Sequence, residues 1–132
     1  MNIRDISVDP PFVLAPLAGL TDSSMRRLCR RSGASMVWTE MVSAEGAVRN
    51  SWKTFELLAF HEEERPIAFQ LFGGRPESMA EATRRIASLK PDAIDVNAGC
   101  PVKKVVKSKS GAALMRDLGL LRDVVQAVLE ST

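Results

Sequence analysis

Short apolar runs alternate with helix-like patterns along the 132-residue chain. The runs with the length of a buried β-strand are residues 12–16, 35–39, 67–71 and 93–97. Strands that alternate with amphipathic helices are typical of βα units and of a parallel sheet. We therefore expect an α/β fold with about four βα units, and a single domain that covers residues 1–132.

Three amphipathic helices are predicted between and after these strands. The first begins at Thr21 or Asp22, because either side chain can cap free helix amides. The second begins at Pro76, a residue suited to a first helical turn, and continues to about Leu89. The last helix spans residues 117–130, while the stretch after residue 39 is predicted to be a short helix or a loop.

The spacing of apolar residues also predicts which side of each helix is buried. In the first helix, Met25, Leu28 and Cys29 form an apolar stripe, so packing is the expected role of Cys29. The residues expected on its solvent-facing side are Arg26, Arg27, Arg30 and Arg31. The residues expected on one apolar face of the last helix are Leu118, Leu121, Val124, Val125 and Val128.

Polar residues near two strand ends bear on the choice between two architectures. Four βα units can close as a small doubly wound sheet, or they can form half of a (β/α)₈ barrel, which typically needs about 250 residues. Strand alternation puts Gln70 opposite the apolar set of its strand, and it puts Asn97 on the same face as Asp95. Ligands bind at the carboxyl ends of strands in both architectures, although these amides could equally serve only to satisfy backbone groups.

Composition narrows the possible chemistry. The formal charge of +2 is too small to imply nucleic-acid binding without local clustering, and two cysteines with one histidine exclude the usual four-ligand zinc site. No metal is therefore expected. The amino terminus lacks the apolar core of a signal peptide, and no apolar run reaches the roughly 18 residues of a membrane span. A cytoplasmic protein without membrane contact is expected.

Cys100 follows a predicted strand and lies between Gly99 and Pro101, in a loop of the kind where catalytic groups collect. Its alternative role is a small apolar plug at the base of the loop. A protease-like thiolate needs a histidine partner, and the one histidine, His61, lies in a charged run that predicts a surface position. A protonated thiol can act as a general acid, and that role suits the sequence better.

A cluster of lysines follows Cys100 without an intervening acidic residue: Lys103, Lys104, Lys107 and Lys109. Cations beside a candidate acid favour a polyanionic substrate that is held through its phosphates, although a solvated loop without a partner is the plain alternative. Neither a dinucleotide fingerprint nor a P-loop is present in the chain.

Several of these segments resemble the tRNA-dihydrouridine synthase family, and most closely its bacterial branch. The matching segments, in chain order, are APLAGLTD at 15–22, TEM at 39–41, QLFG at 70–73, DVNAGCPVKKV at 95–105 and GAAL at 111–114. The resemblance implies the amino-terminal part of a flavin-binding (β/α)₈ barrel. The rest of that barrel and a helical tRNA-docking domain are absent from this chain.

The resemblance also implies an activity and its residues. The family's enzymes use flavin mononucleotide (FMN) and NADPH to reduce the C5=C6 bond of uridine in tRNA, with hydride going to C6. Cys100 matches the proton donor to C5. The turn residues Pro16, Leu17 and Ala18 and the amide of Gln70 match flavin contacts, while Asn97 matches a residue between flavin and base. Lys103, Lys104 and Lys107 would lie where the RNA backbone enters.

The shortened barrel leads to further expectations for this polypeptide. Its first and fourth strands would be open edges, so we expect self-association into a homo-oligomer. Flavin binding is expected to be weak, because phosphate sites in such barrels commonly come from the loops after strands seven and eight. Two other functions stay open: another FMN-dependent barrel oxidoreductase that acts on a small pyrimidine, and a half-barrel module without activity.

Overall fold

The computed structural model describes residues 2–132. Its strands are β1 (Asn2–Ile3), β2 (Ile6–Ser7), β3 (Val13–Leu14), β4 (Met36–Trp38), β5 (Val42–Ser43), β6 (Ile67–Phe72) and β7 (Ala93–Val96). Its α-helices are α1 (Ser23–Arg31), α2 (Ala44–Val48), α3 (Trp52–Leu58), α4 (Pro76–Ala87), α5 (Lys103–Lys107) and α6 (Leu118–Leu129). Short 3-10 helices cover Glu62–Glu64 and Gly111–Arg116.

One parallel sheet organises the fold. Strand β3 pairs with β4, β4 pairs with β6, and β6 pairs on its other side with β7, all in parallel. Strands β3 and β7 therefore form the two outer edges. The alternation of parallel strands with helices confirms the predicted α/β class and is that of a partial (β/α) barrel. The antiparallel hairpin of β1 and β2 was not predicted.

The second predicted strand is interrupted by one extra residue. Val37 pairs with Ile67 and Val42 pairs with Leu71, so five steps along β4 and β5 match four steps along β6. At the interruption the hydroxyl of Thr39 accepts a hydrogen bond from the backbone N–H of Gln70, at 3.3 Å. The stretch predicted as a short helix or loop therefore first pairs with the sheet as β5 and then forms helix α2.

The apolar core lies between the sheet and the helices. Ile67, Phe69 and Leu71 of β6 belong to it, as the strand alternation predicts. Helix α4 contributes Met79 and Ile86 from the predicted segment that begins at Pro76.

Helix α6 buries only part of its predicted apolar face. Val124 and Val128 belong to the core, and Leu121 packs against it. In contrast, 68% of Leu118 is exposed, and Val125 is also exposed, so the predicted face is wrong at these two positions.

Helix ends agree with the sequence more closely than helix faces do. The side chain of Asp22 caps α1 by accepting from the N–H of Met25 at 2.8 Å. Asp117 caps α6 in the same way through the N–H of Leu120. Such caps depend on residues within one turn, so they can be predicted from sequence.

The predicted solvent-facing side of helix α1 is wrong at Arg26, which is buried with only 1% of its surface exposed. Its Nε donates to Glu64 Oε2 at 2.5 Å, and its two terminal nitrogens donate to the carbonyl oxygens of Thr21 and Ala59. Meanwhile 60% of Leu28 is exposed. The sequence pattern failed here because the partner that makes burial of the guanidinium favourable lies 38 positions away.

Glu64 is satisfied on both of its oxygens, which completes the buried ion pair. Its Oε1 accepts from the hydroxyl of Ser23 at 2.5 Å and from the N–H of His61 at 2.9 Å. The pair therefore joins the start of α1 to the 3-10 helix that precedes β6. The hydrogen bond from Arg26 to the carbonyl of Thr21 also joins it to the turn that follows β3.

We predict that Glu64→Ala lowers the free energy of unfolding by about 3–5 kcal/mol, because it leaves the charge of Arg26 buried without a partner. Urea denaturation measures the loss. Replacing both residues, in Arg26→Met with Glu64→Leu, should cost less than the single change, because no unpaired charge then remains.

Glu63 gives the matched control for this prediction. Hydrogen bonds from Arg31 and Arg27 lower the pKa of Glu63 below its ordinary value, but all three groups are on the surface. Glu63→Ala should therefore change the unfolding free energy far less than Glu64→Ala does. Equal losses of unfolding free energy in Glu63→Ala and Glu64→Ala would contradict the claim that burial makes the Arg26–Glu64 pair important for stability.

The two edge strands support a prediction about association. Strand β3 presents Val13, and the neighbouring Phe12 is 71% exposed. On the side of β7, helix α6 and the segment before it expose Met115, Leu118 and Leu129. Open strand edges beside exposed apolar side chains favour pairing with another chain.

We therefore predict that the 132-residue polypeptide self-associates at tens of micromolar, as measured by size-exclusion chromatography with light scattering. Val13→Lys should shift the population toward the monomer by placing a charge on the β3 edge. Trp52→Lys changes an apolar residue on α3 that is more exposed than Val13 and lies outside both edges, and it should leave the distribution unchanged. A clean monomer of the unmodified chain would refute the prediction.

Candidate active site

Gln70 and Asn97 lie side by side at the carboxyl end of the sheet. Gln70 is near the end of β6 and only 7% exposed, and its register partner across the ladder is Asp95 on β7. Asn97 follows β7 directly, and its backbone N–H donates to the carbonyl of Leu71 at 2.8 Å. The parallel register therefore brings these predicted residues together at the end where such sheets bind ligands.

The two amides belong to one line of hydrogen bonds, which we call the amide line: Asp95, Gln70, Asn97 and the backbone of Cys100. Gln70 Nε2 donates to Asp95 Oδ2 at 2.6 Å, and Asn97 Nδ2 donates to Gln70 Oε1 at 2.9 Å. Asn97 Oδ1 then accepts from the N–H of Cys100 at 2.9 Å and from the N–H of Gly99 at 3.2 Å.

The amide line answers the question that strand alternation left open. Asn97 does satisfy backbone groups, and through them it holds the loop that carries the cysteine. The side chain of Gln70 bonds only to side chains in the described part of the chain, and one of its amide N–H groups has no partner there. Asn97 Nδ2 also reaches Met41 Sδ at 3.5 Å.

Cys100 is a half-buried free thiol in the loop after β7, beside Asn97 and not within a helix. Its carbonyl oxygen accepts from the N–H of Ala112 at 3.0 Å. Gly111 makes this approach possible: its φ is +59°, and a Cβ there would lie 2.6 Å from the carbonyl oxygen of Cys100. The loop is thus held from Asn97 on one side and from residues 111–112 on the other.

The turn after β3 presents Leu17 and Ala18 to solvent, while Pro16 is half-buried. Two groups hold it from below. The buried hydroxyl of Thr21 lies 3.1 Å from the N–H of Leu17, and the carboxylate of Glu40 accepts from the N–H of Gly19. No hydrogen bond in residues 2–132 joins this turn directly to Gln70 or Asn97.

Helix α5 contains three of the four lysines of the cluster, and Lys109 follows the helix. Lys103, Lys104 and Lys107 are all exposed, and across the described residues none of them pairs with a carboxylate within 4.0 Å. The segment packs closely on the sheet end, because a Cβ on Gly74 would lie 2.5 Å from the carbonyl oxygen of Ser108. The lysines are therefore held next to the loop of Cys100.

A cavity of about 390 Å³ lies between this segment and the end of β6. Its lining includes Lys104 of α5 together with residues that the sequence analysis did not single out: Ser43, Glu45, Arg75 and Ser78. The hydroxyl of Ser78 donates to Glu45 Oε1 at 2.6 Å, and Arg75 lies 3.7 Å from the same oxygen. These polar groups largely satisfy one another.

His61 is exposed, as predicted, and no hydrogen bond within residues 2–132 joins it to Cys100. In residues 2–132, no three His, Cys, Asp or Glu side chains come together in a way that could hold a metal ion. Over the same range, every helix is too short or too polar to cross a membrane.

Comparison with known proteins decides the family of the chain. The sequence pattern of the dihydrouridine synthase family matches residues 13–132. The chain belongs to the dihydrouridine synthase family. The match begins at β3, so it covers the whole parallel sheet and every predicted site residue, and it leaves out the hairpin of β1 and β2.

Curated relatives of this chain come from several bacteria. It is 46% identical over 120 residues to a probable tRNA-dihydrouridine synthase of Aquifex aeolicus, which covers 90% of this chain and 38% of the relative. It is 43% identical over 120 residues to tRNA-dihydrouridine synthase B of Pseudomonas aeruginosa, with 91% and 36% covered. The chain thus spans less than two fifths of the length of these relatives.

Sequence reasoning assigned no role to three side chains at the candidate site: Asp95, Thr39 and Glu40. Strand alternation already put Asp95 on the face of Asn97, so that signal was available. Thr39 and Glu40 lie at the interruption between β4 and β5, where alternation breaks down, and their partners in β6 and in the turn after β3 are apparent only in the folded chain.

Proposed function

We propose that this chain forms part of the flavin-binding barrel domain of an enzyme that reduces the C5=C6 bond of uridines in tRNA. FMN would be the cofactor, NADPH the reductant and Cys100 the proton donor. The observation that carries the proposal is the amide line, which holds Cys100 beside Gln70 and Asn97 at the carboxyl end of a dihydrouridine synthase sheet.

The residues at this end suit a flat flavin ring. The turn of Pro16, Leu17 and Ala18 is exposed and held from below, so it offers a surface against which a ring can lie. Gln70 keeps one amide N–H free, which suits an acceptor on the edge of the isoalloxazine. When bound, FMN would supply hydride for C6 of the uracil, and NADPH would restore it.

Cys100 would complete the reduction with a proton. Cysteine thiols are mostly protonated at neutral pH, which lets them act as general acids. The sulfur would give its proton to C5 of the uracil, and the resulting thiolate would regain one from solvent. Asn97 would keep the cysteine loop in place through the N–H groups of Gly99 and Cys100.

The lysines of α5 would hold the RNA backbone. They are exposed, have no acidic partner within residues 2–132 and stand a few residues from Cys100, an arrangement that favours a polyanion over a small neutral pyrimidine. A tRNA substrate would also agree with a cytoplasmic location, which we propose on that ground alone.

We predict that Cys100→Ala lowers NADPH-dependent dihydrouridine formation on unmodified tRNA by about a hundredfold or more, the usual contribution of a general acid. The measurement uses the longest natural polypeptide that contains this sequence. Bleaching of flavin absorbance by NADPH should remain, because the thiol acts only on the base.

Cys29 provides the matched control, since it is also a half-buried free thiol but lies on α1. Cys29→Ala should leave both reactions unchanged. Full dihydrouridine formation by Cys100→Ala would refute the proton-donor role.

We also predict that changing Lys103, Lys104 and Lys107 together to alanine weakens tRNA binding and lowers the salt dependence of the association constant. Each lost phosphate contact should reduce the log–log slope by about 0.7–0.9, so the triple variant should lose about 2–3 units. Fluorescence anisotropy over a salt series measures the slope. The control variant Lys53→Ala with Lys90→Ala removes exposed lysines outside the cluster and should leave the slope unchanged. An unchanged slope in the triple variant would contradict the assignment of these lysines to RNA binding.

A further inference from the structure

Asp95 stands at the far end of the amide line from Cys100. It is half-buried on β7, and its Oδ2 accepts from Gln70 Nε2 at 2.6 Å, the shortest hydrogen bond in the line. No lysine, arginine or histidine of residues 2–132 pairs with this carboxylate within 4.0 Å. Its partner is a neutral amide, so an ion pair does not explain its position.

Asp92, three positions earlier, shows what a structural carboxylate looks like in the same segment. It pairs with Arg65 at 3.0 Å and accepts from the N–H of Ile67 at 2.8 Å. Those contacts join the start of β6 to the segment before β7, at the end of the sheet opposite the candidate site. Asp92 therefore stabilises the sheet without any link to Gln70.

The chemistry of Asp95 imposes a direction on the amide line. An ionised carboxylate can only accept hydrogen bonds, so Gln70 must turn its NH₂ group toward Asp95 and its oxygen toward Asn97. Asn97 must then turn its own NH₂ group toward Gln70, which leaves its oxygen free for the N–H groups of Gly99 and Cys100. With either amide reversed, two donors would face each other.

We propose that Asp95 is a positioning residue for Cys100. It sets the orientation of Gln70 and Asn97 and thereby holds the cysteine loop closed against Asn97. The same orientation leaves the remaining N–H of Gln70 for a ligand. The catalytic significance of this role rests on the proposed function, but the hold on the loop is a property of the chain itself.

The test measures the loop directly, without flavin, NADPH or tRNA. One readout is the alkylation rate of Cys100 by iodoacetamide relative to that of Cys29, determined by peptide mass spectrometry. The other is hydrogen exchange of the peptide amides at Gly99 and Cys100. Exchange at fixed pH does not depend on the thiolate fraction, so it separates loop opening from a change in thiol reactivity.

We expect Asp95→Leu to raise both the Cys100-to-Cys29 alkylation ratio and the local exchange rate by about fivefold, the effect of losing one hydrogen bond in the line. Asp95→Asn keeps a carbonyl acceptor for Gln70 and should stay within about twofold of the unmodified chain. Asp92→Leu, the matched control, should leave the alkylation ratio unchanged.

A double-variant cycle tests whether the effect travels through Gln70. Gln70→Leu alone should loosen the loop about as much as Asp95→Leu, and the two changes together should loosen it no further. An unchanged ratio and exchange rate in Asp95→Leu, or a full effect of that change in the Gln70→Leu background, would overturn the proposal.

Two further outcomes are also decisive. If Asp95→Leu unfolds the chain, the alkylation rate of Cys29 will rise together with that of Cys100. Gln70→Leu is then the deciding variant. Unchanged alkylation and exchange of the cysteine loop in Gln70→Leu would overturn the proposal. Loss of the effect of Asp95 would leave the Cys100→Ala activity test unaffected. Conversely, an active Cys100→Ala enzyme would remove the proposed function while the hold on the loop could still be measured.

Discussion

Strand β6 pairs in parallel with strands on both of its sides, and this register positions the central residues of the candidate site. It sets Gln70 opposite Asp95 and brings Asn97 beside the end of the same strand. On the other side of β6, the segment of β4 and β5 contains one extra residue, and there the hydroxyl of Thr39 accepts the hydrogen bond from the backbone N–H of Gln70. A shift of one residue in this register would turn every side chain of β6 to the opposite face and would separate Gln70 from Asp95 and Asn97.

Hydrogen-bonded polar groups that are buried or half-buried hold the structure around the site in place. The ion pair of Arg26 and Glu64 lies under the turn after β3, and one of its hydrogen bonds goes to the carbonyl of Thr21 in that turn. On the other side of the sheet end, the amide line runs from Asp95 to Cys100. Because buried polar groups need partners, each network permits few arrangements, and a site built this way needs little reordering to bind a ligand.

Close packing of loops adds the third element. Gly74 and Gly111 let the segment that follows Cys100 press against the end of β6 and against the cysteine itself. The lysines of α5 are thereby held near the thiol while their side chains stay in solvent. Under the proposed function, a thiol held in place beside exposed cations would suit a large anionic substrate.

Local sequence features were enough to predict strands β3, β4, β6 and β7, the helix starts at Asp22 and Pro76, the face of Gln70, and the segments that mark the dihydrouridine synthase family. These features are local: a cap, a proline or an alternation of apolar residues acts within a few positions. Four features emerged only in the folded chain: Arg26 is buried, Thr39 marks an interruption, Leu118 is exposed and Asp95 ends the amide line. Each of these depends on a partner or a packing surface far away in the chain, because the free energy of burying a polar or apolar group is set by what it finally contacts.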